Sequence, residues 1–306
     1  MTDLVALRQS IAGVHNYMPT PFLSDFSLDL DGMRNNVAFH ADDFHQDMII
    51  TVGAVYGEGD TLDLEEHKDC VSAAVDGAQG KIHINAGVVG GYGMQKRMAR
   101  NAEEAGADSL IVFSPFRPNQ DHVKEEMVYS YIKELSETVS IGIIVFPMSD
   151  SKIWSTILEK VAVLKNVVGF LPANNDIGNR VNSLVPDRYV WLAENEDNAI
   201  RSFPHGCRAY TTAVSSLVPK ASYDFWKCGI DGDEDKMMKV FKRDIEPILK
   251  IRQVKNGGIS GIKIALEMLG RSGGTLRPPR TPVNQSDVDI IRGILSSHPE
   301  VRDLLT

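Results

Sequence analysis

The chain has 306 residues, 43% of them hydrophobic and 24% charged, and a formal net charge of −9. That is an ordinary globular balance, and the length suits one barrel-sized domain or two small ones. The acidic surplus disfavours nucleic acid or an anionic membrane surface as a partner, since both need a basic patch.

No apolar run nears the roughly 18 residues of a membrane span. The first residues, Met1-Thr2-Asp3-Leu4, show neither the basic region nor the apolar core of a secretory signal. Cys70, Cys207 and Cys228 fall in no CxxC or Cys/His spacing, which predicts reduced, buried thiols and a cytoplasmic location.

Residues 11–18 read as a first strand, stopped by Pro19-Thr20-Pro21-Phe22. Residues 30–44 then carry Met33, Val37 and Phe44 at the spacing of an amphipathic helix. Residues 48–52 form a second apolar strand, followed by a loop over 54–58, a helix over 65–78 and a third strand over 82–86. The alternation continues with helix 94–105, strand 109–113, helix 122–138, strand 141–146, helix 153–164 and strand 167–171. It ends with helix 177–184, strand 189–193, helix 197–203 and strand 208–212. Eight strand–helix units of about 25 residues predict an α/β fold, a closed (β/α)8 TIM barrel. Helical patterns over 233–252, 259–269 and 284–295 predict a C-terminal three-helix appendage. The expected division is a barrel over 1–230 and a helical extension over 231–306 packed on it.

In a parallel barrel, the C-terminal ends of the strands face the chemistry. Leu171 ends the sixth strand. Asn174-Asn175-Asp176 follow it, and Glu194-Asn195-Glu196 follow the seventh. Acids there suit a general base or a metal ligand, but Asn175, Asp176, Asn195 or Glu196 could equally cap the next helix. Residues 87–93, Gly-Val-Val-Gly-Gly-Tyr-Gly, lack both the GxGxxG spacing and a following Lys-Ser/Thr, so they read as a tight strand-to-helix turn. No HxxxH or HExxH pair occurs among the eight histidines, so neither a metal nor another cofactor is expected.

Several runs in fixed order resemble one family. They are Pro19-Thr20-Pro21-Phe22, Gly57-Glu58 with Thr61-Leu62 and Glu65-Glu66-His67, Ala105-Gly106-Ala107-Asp108, Pro115-Phe116 and Asn166-Val167-Val168-Gly169. Gly261-Ile262-Lys263, Leu269-Gly270 and Leu276-Arg277-Pro278-Pro279 complete the set. Over nearly its whole length the chain resembles the dihydrodipicolinate synthase / N-acetylneuraminate lyase family, barrel enzymes that join a lysine to a 2-oxo acid as a Schiff base. The resemblance implies a homo-oligomer, a dimer or tetramer, acting on a small carboxylate or oxo-acid.

The chain departs from the family where the chemistry lies. The resemblance puts the Schiff-base lysine two residues after Gly169, and Leu171 stands there. The proton-relaying tyrosine of the fifth strand falls on Phe146, and a second tyrosine falls on Arg117. The threonine pair that grips the substrate carboxylate falls on Val55-Tyr56, and an arginine of some members falls near Ser151 or Lys152. Schiff-base chemistry needs a desolvated lysine amine, so a lysine-free site is expected.

Arg117 is then the expected anion handle, its alternative being an ion pair with Glu125 or Glu126. Tyr17 and Tyr56 are read as proton donors, the alternative being aromatic packing. Val55, Tyr56, Arg117, Phe146, Leu171, Asn174 and Glu194 are the expected substrate-binding residues. Two activities fit this pattern. One is a lyase or hydro-lyase of small oxo- or hydroxy-acids working without a lysine adduct. The other is a non-catalytic carboxylate-binding member, a sensor or partner subunit, whose barrel mouth would be sealed by Tyr17, Tyr56 and Phe146. An ordinary pyruvate-dependent aldolase fits least.

Overall fold

Runs such as Met48–Val52 and Ser109–Phe113 are apolar at nearly every position, as strands covered on both faces must be. The computed structural model, which describes residues 4–43, 47–115, 123–146, 151–172, 175–254 and 258–306, places them in a closed parallel barrel. The strands are β1 (Val14–Tyr17), β2 (Met48–Val52), β3 (His83–Val88), β4 (Ser109–Phe113), β5 (Gly142–Phe146), β6 (Val167–Phe170), β7 (Val190–Glu194) and β8 (Ala209–Thr212), paired in sequence order with β8 returning to β1. The expected barrel and its helical C-terminal part are borne out.

Two apolar layers hold it. Outward residues such as Ile50, Ile84, Val112, Val145 and Trp191 pack under the helices. Inward residues, among them Ile111, Ile144, Val168 and Leu192, fill the barrel itself. Leu7 and Ile11, at and just after a short N-terminal helix (Leu4–Gln9), join this inner cluster from below. A buried polar chain crosses the interior: His83 Nε2 lies 2.7 Å from Ser109 Oγ, Ser109 donates to Asn85 Oδ1 at 2.9 Å, and Asn85 donates to Thr51 Oγ1 at 3.2 Å. The three cysteines are unpaired and buried, and burial pushes the Cys70 and Cys207 thiols up to about 12.

The register slips once, between β5 and β6, where Ile143 pairs with Val167 and Ile144 with Gly169. The extra residue is a bulge, which re-aims the strand end. A Cβ on Gly169 would stand 2.9 Å from Ile11 Cδ1, so a side chain beside the bulge would press on the inner cluster. Leu171, just beyond, consequently turns inward, where it joins the inner cluster.

The sequence reading differs from the structure in two elements. The barrel's eighth helix, Pro219–Ile230, was not anticipated, although Pro219 at its first position is a start signal. The N-terminal helix was missed as well, being six residues long and too short for periodicity to register. The expected helix over 233–252 runs as Glu234–Val240, a π turn over Phe241–Ile245, Glu246–Leu249 and a 3₁₀ turn over Lys250–Gln253. Pro247 has no N–H to offer the carbonyl of residue 243, and the π turn lies directly ahead of it. The turn that follows carries Arg252 to the barrel mouth.

Candidate active site

A chamber of about 170 Å³ opens at the C-terminal ends of the strands. Tyr17 comes to it from β1, Phe146 from β5, Leu171 from just past β6, Glu194 from β7, and Thr211 and Thr212 from β8. Val55 and Tyr56 form part of its rim from the loop after β2. Asn195, Ala213 and Arg252 complete the described lining.

The rim loop is held from below and behind. Thr20 Oγ1 donates to the Gly57 carbonyl at 2.6 Å, and Gly59 N–H donates back to Ala54 O at 3.1 Å. Gly59 is required there, because a Cβ would fall 1.9 Å from Gly53 O. Glu58 adopts a left-handed conformation (φ 50°) and points its carboxylate into the protein, where Lys263 Nζ lies 2.6 Å away. Both side chains are fully buried. Burial pulls the Lys263 amine down from its ordinary value, and Glu58 opposes the shift. Arg277 extends the lock by donating to both oxygens of Glu66, at 2.8 and 2.5 Å.

The chamber's cation comes from the C-terminal part of the chain. The Arg252 guanidinium stacks on the Tyr56 ring, 4.9 Å from its centroid, and donates through Nη2 to the Tyr56 hydroxyl. Its Nη1 lies 3.8 Å from Oε2 of the buried Glu196. Thr212 Oγ1 donates to the other Glu196 oxygen and accepts from Val214 N–H at 3.1 Å. Burial raises the Glu196 carboxyl above its usual range, against the pull of Thr212 and Arg252. Burial also raises the Tyr56 phenol, against the charge of Arg252.

Tyr17 differs from Tyr56. Its hydroxyl is enclosed and finds no hydrogen-bond partner among the described residues. Burial raises its pKa far above the ordinary phenol value, and Glu194 adds to the shift. Phe146 meets Phe113 edge to face, with centroids 5.0 Å apart. Leu171 has no solvent exposure.

Six of the expected residues, Tyr17, Val55, Tyr56, Phe146, Leu171 and Glu194, thus meet around one chamber. Arg117 and Asn174 lie outside the described residues. Glu125, offered as a partner for Arg117, pairs with Lys160. Asn195 takes the capping role: at φ 67° its Oδ1 accepts the Asn198 N–H at 3.1 Å. Asn175 opens its helix, but its Oδ1 accepts from Ser202 Oγ at 2.7 Å. Residues 87–93 run from the end of β3 through a turn over 89–91 into the helix Tyr92–Glu104.

Sequence reasoning missed Thr211, Thr212 and Ala213, although the strand-end rule applied to the eighth strand points to the first two, and it named Asn195 only as a cap. Arg252 carried no local signal. It is 196 residues from the tyrosine it touches.

A model of the dihydrodipicolinate synthetase family matches residues 10–298. A Bacillus licheniformis protein named "Probable 5-dehydro-4-deoxyglucarate dehydratase" is 26% identical over 298 residues, covering 95% of each chain. A Streptomyces avermitilis protein with the name "Probable 5-dehydro-4-deoxyglucarate dehydratase 2" is 27% identical over 303 residues, covering 95% of this chain and 88% of its own. Among solved structures, dihydrodipicolinate synthase from Aquifex aeolicus superposes with a TM-score of 0.83 at 21% identity, over 95% of this chain and 99% of its own. The Bacillus clausii enzyme gives 0.83 at 24% identity with the same coverage. At these identities the structural likeness carries the fold alone.

Proposed function

The chain belongs to the dihydrodipicolinate synthetase family, and from that premise we propose that it is a lyase that removes water from a small hydroxy- or oxo-acid without a lysine adduct. The observation that carries this reading is Leu171. It faces the chamber where the resemblance puts the amine, and the described lining residues include no lysine. Lys263, buried and engaged by Glu58, is not among those lining residues. The dehydratase names of relatives spanning nearly the whole chain support loss of water over carbon–carbon cleavage.

The polar residues suit an elimination. Glu194 takes the proton from the carbon beside the carboxyl or carbonyl group, and the C–H electrons become the C=C bond. The neighbouring C–O bond breaks, and the departing hydroxide takes the Tyr56 proton and leaves as water. The proton on Glu194 returns to the Tyr56 oxygen, and where the carbon that lost its proton carries a hydroxyl, as in a 2,3-dihydroxy acid, the enol product becomes a 2-oxo acid. Tyr56, its pKa raised, is a phenol at neutral pH and can donate. Arg252, already bonded to the Tyr56 oxygen, stabilises negative charge there as the proton leaves.

The test is turnover of a panel of 2,3-dihydroxy acids, L-threonate and D-gluconate among them, with the 2-oxo acid product trapped as a semicarbazone. Tyr56→Phe should lower kcat by about 100-fold or more with KM little changed. Acids that bind the wild type but are never dehydrated would mark a binding-only member.

A further inference from the structure

We infer that Arg252 anchors the ligand's carboxylate, and that the groups around it limit the ligand to one carboxylate carrying a hydroxylated tail. This rests on the reading of the chamber as an acid-binding site and narrows it.

Arg252 is the one cation among the described lining residues. A guanidinium presents five N–H donors in a planar fork matched to a carboxylate. Stacking on Tyr56 fixes the plane of that fork, and the bond to the Tyr56 hydroxyl fixes its rotation. The 3.8 Å gap to Glu196 is too long for a hydrogen bond, so Glu196 orients the guanidinium without saturating it. The side chain keeps about a quarter of its surface exposed. One ligand carboxylate can therefore share Arg252 with Glu196.

The described lining gives a second carboxylate no partner. The described lining offers no other cation, and in so small a chamber a second anion lies close to the Glu194 carboxylate. Like charges brought together in a binding site are costly and serve to reject wrong partners. Glu194, Asn195 and Thr211 instead offer hydrogen-bonding groups suited to neutral hydroxyls.

Calorimetric titration of the full chain with matched acids tests this. L-Threonate and L-tartrate share four carbons, and D-gluconate and D-glucarate share six; each pair differs in having one carboxylate or two. The expected result is that each monocarboxylate binds at least about 10-fold more tightly than its partner, and that butyrate, which lacks the hydroxyls, binds more weakly than threonate. Arg252→Gln should weaken threonate binding by roughly 30-fold or more, and Arg252→Lys should recover only part of it, since a lysine keeps the charge but not the fork. Glu194→Gln should narrow the gap between tartrate and threonate. Melting curves on each variant confirm folding, and a misfolded Arg252→Gln leaves the lysine and Glu194 variants to decide. Dicarboxylates binding as tightly as monocarboxylates, butyrate matching threonate, or threonate affinity indifferent to residue 252 would overturn the inference alone. Failure of every acid to bind the wild type would overturn the proposed function with it.

Discussion

Leu171 is fully buried and turned into the chamber by the bulge in β6, a position from which a lysine amine would meet little water. Placing a lysine there does not rebuild an aldolase on this account, because the residue that would relay protons from β5 is Phe146. Groups that act as a unit are strongly non-additive when removed singly. Leu171→Lys should therefore show no pyruvate aldol turnover and lose a few kcal/mol of stability from burying a polar group, measured by urea unfolding. Tyr17 leads to a different expectation. Its hydroxyl is enclosed without a partner among the described residues, and such a group costs about 1–3 kcal/mol. Tyr17→Phe should leave the melting temperature unchanged or raise it, whereas a clear fall would show that the hydroxyl is satisfied. The sequence points to Leu171 as a strand end because it closes the apolar run of residues 167–171. It could not show that one phenol is sealed while another touches a guanidinium, since that depends on packing from distant segments.

At the scale of elements, the loop after β2 owes its shape to the C-terminal part of the chain. Glu58 and Lys263 are 205 positions apart in sequence and form a buried pair at 2.6 Å; the loop also presents Tyr56 to Arg252. Removing one member of a buried pair leaves the other charge uncompensated. Lys263→Met should therefore destabilise the protein by about 3–5 kcal/mol, while the double change with Glu58→Leu should cost less than the single one. Thermal unfolding of both variants decides it, and equal losses would mean that the pair adds nothing beyond packing. The Gly57-Glu58 run and Lys263 were each visible in the sequence as parts of a resemblance. Their contact was not, because nothing local in either segment points to the other. The helix carrying Arg252 was legible from its periodicity, but the turn after Pro247 that delivers the side chain to the chamber was not.

The whole molecule carries an acid-labile core. His15, His40 and His67 are fully buried, and burial pushes His15 and His67 down to about 4 and His40 to about 3. In the unfolded chain a histidine titrates near 6.5, so between these values the unfolded chain binds more protons. Acid therefore favours unfolding: the stability gained by keeping these rings neutral is complete above roughly pH 6.5 and drains away as the pH falls toward about 4. The unfolding free energy from urea titrations should fall between pH 7 and pH 5, by on the order of 2 kcal/mol per histidine at the lower pH. A flat profile over that range would contradict the neutral burial of these rings. The barrel itself was legible, because strands covered on both faces are apolar throughout and alternate with amphipathic helices. The eighth helix was not legible in the same way, although Phe225 and Trp226 pack it into the core.

An enzyme that works without a lysine adduct has no imine for a hydride to reduce. Sodium borohydride added during turnover of an accepted acid, with intact-mass measurement of the protein, tests this most directly. The expected result is unchanged protein mass and continued product formation after the reductant is consumed. Inactivation with one stoichiometric adduct, mapped to a lysine of the barrel, would contradict it.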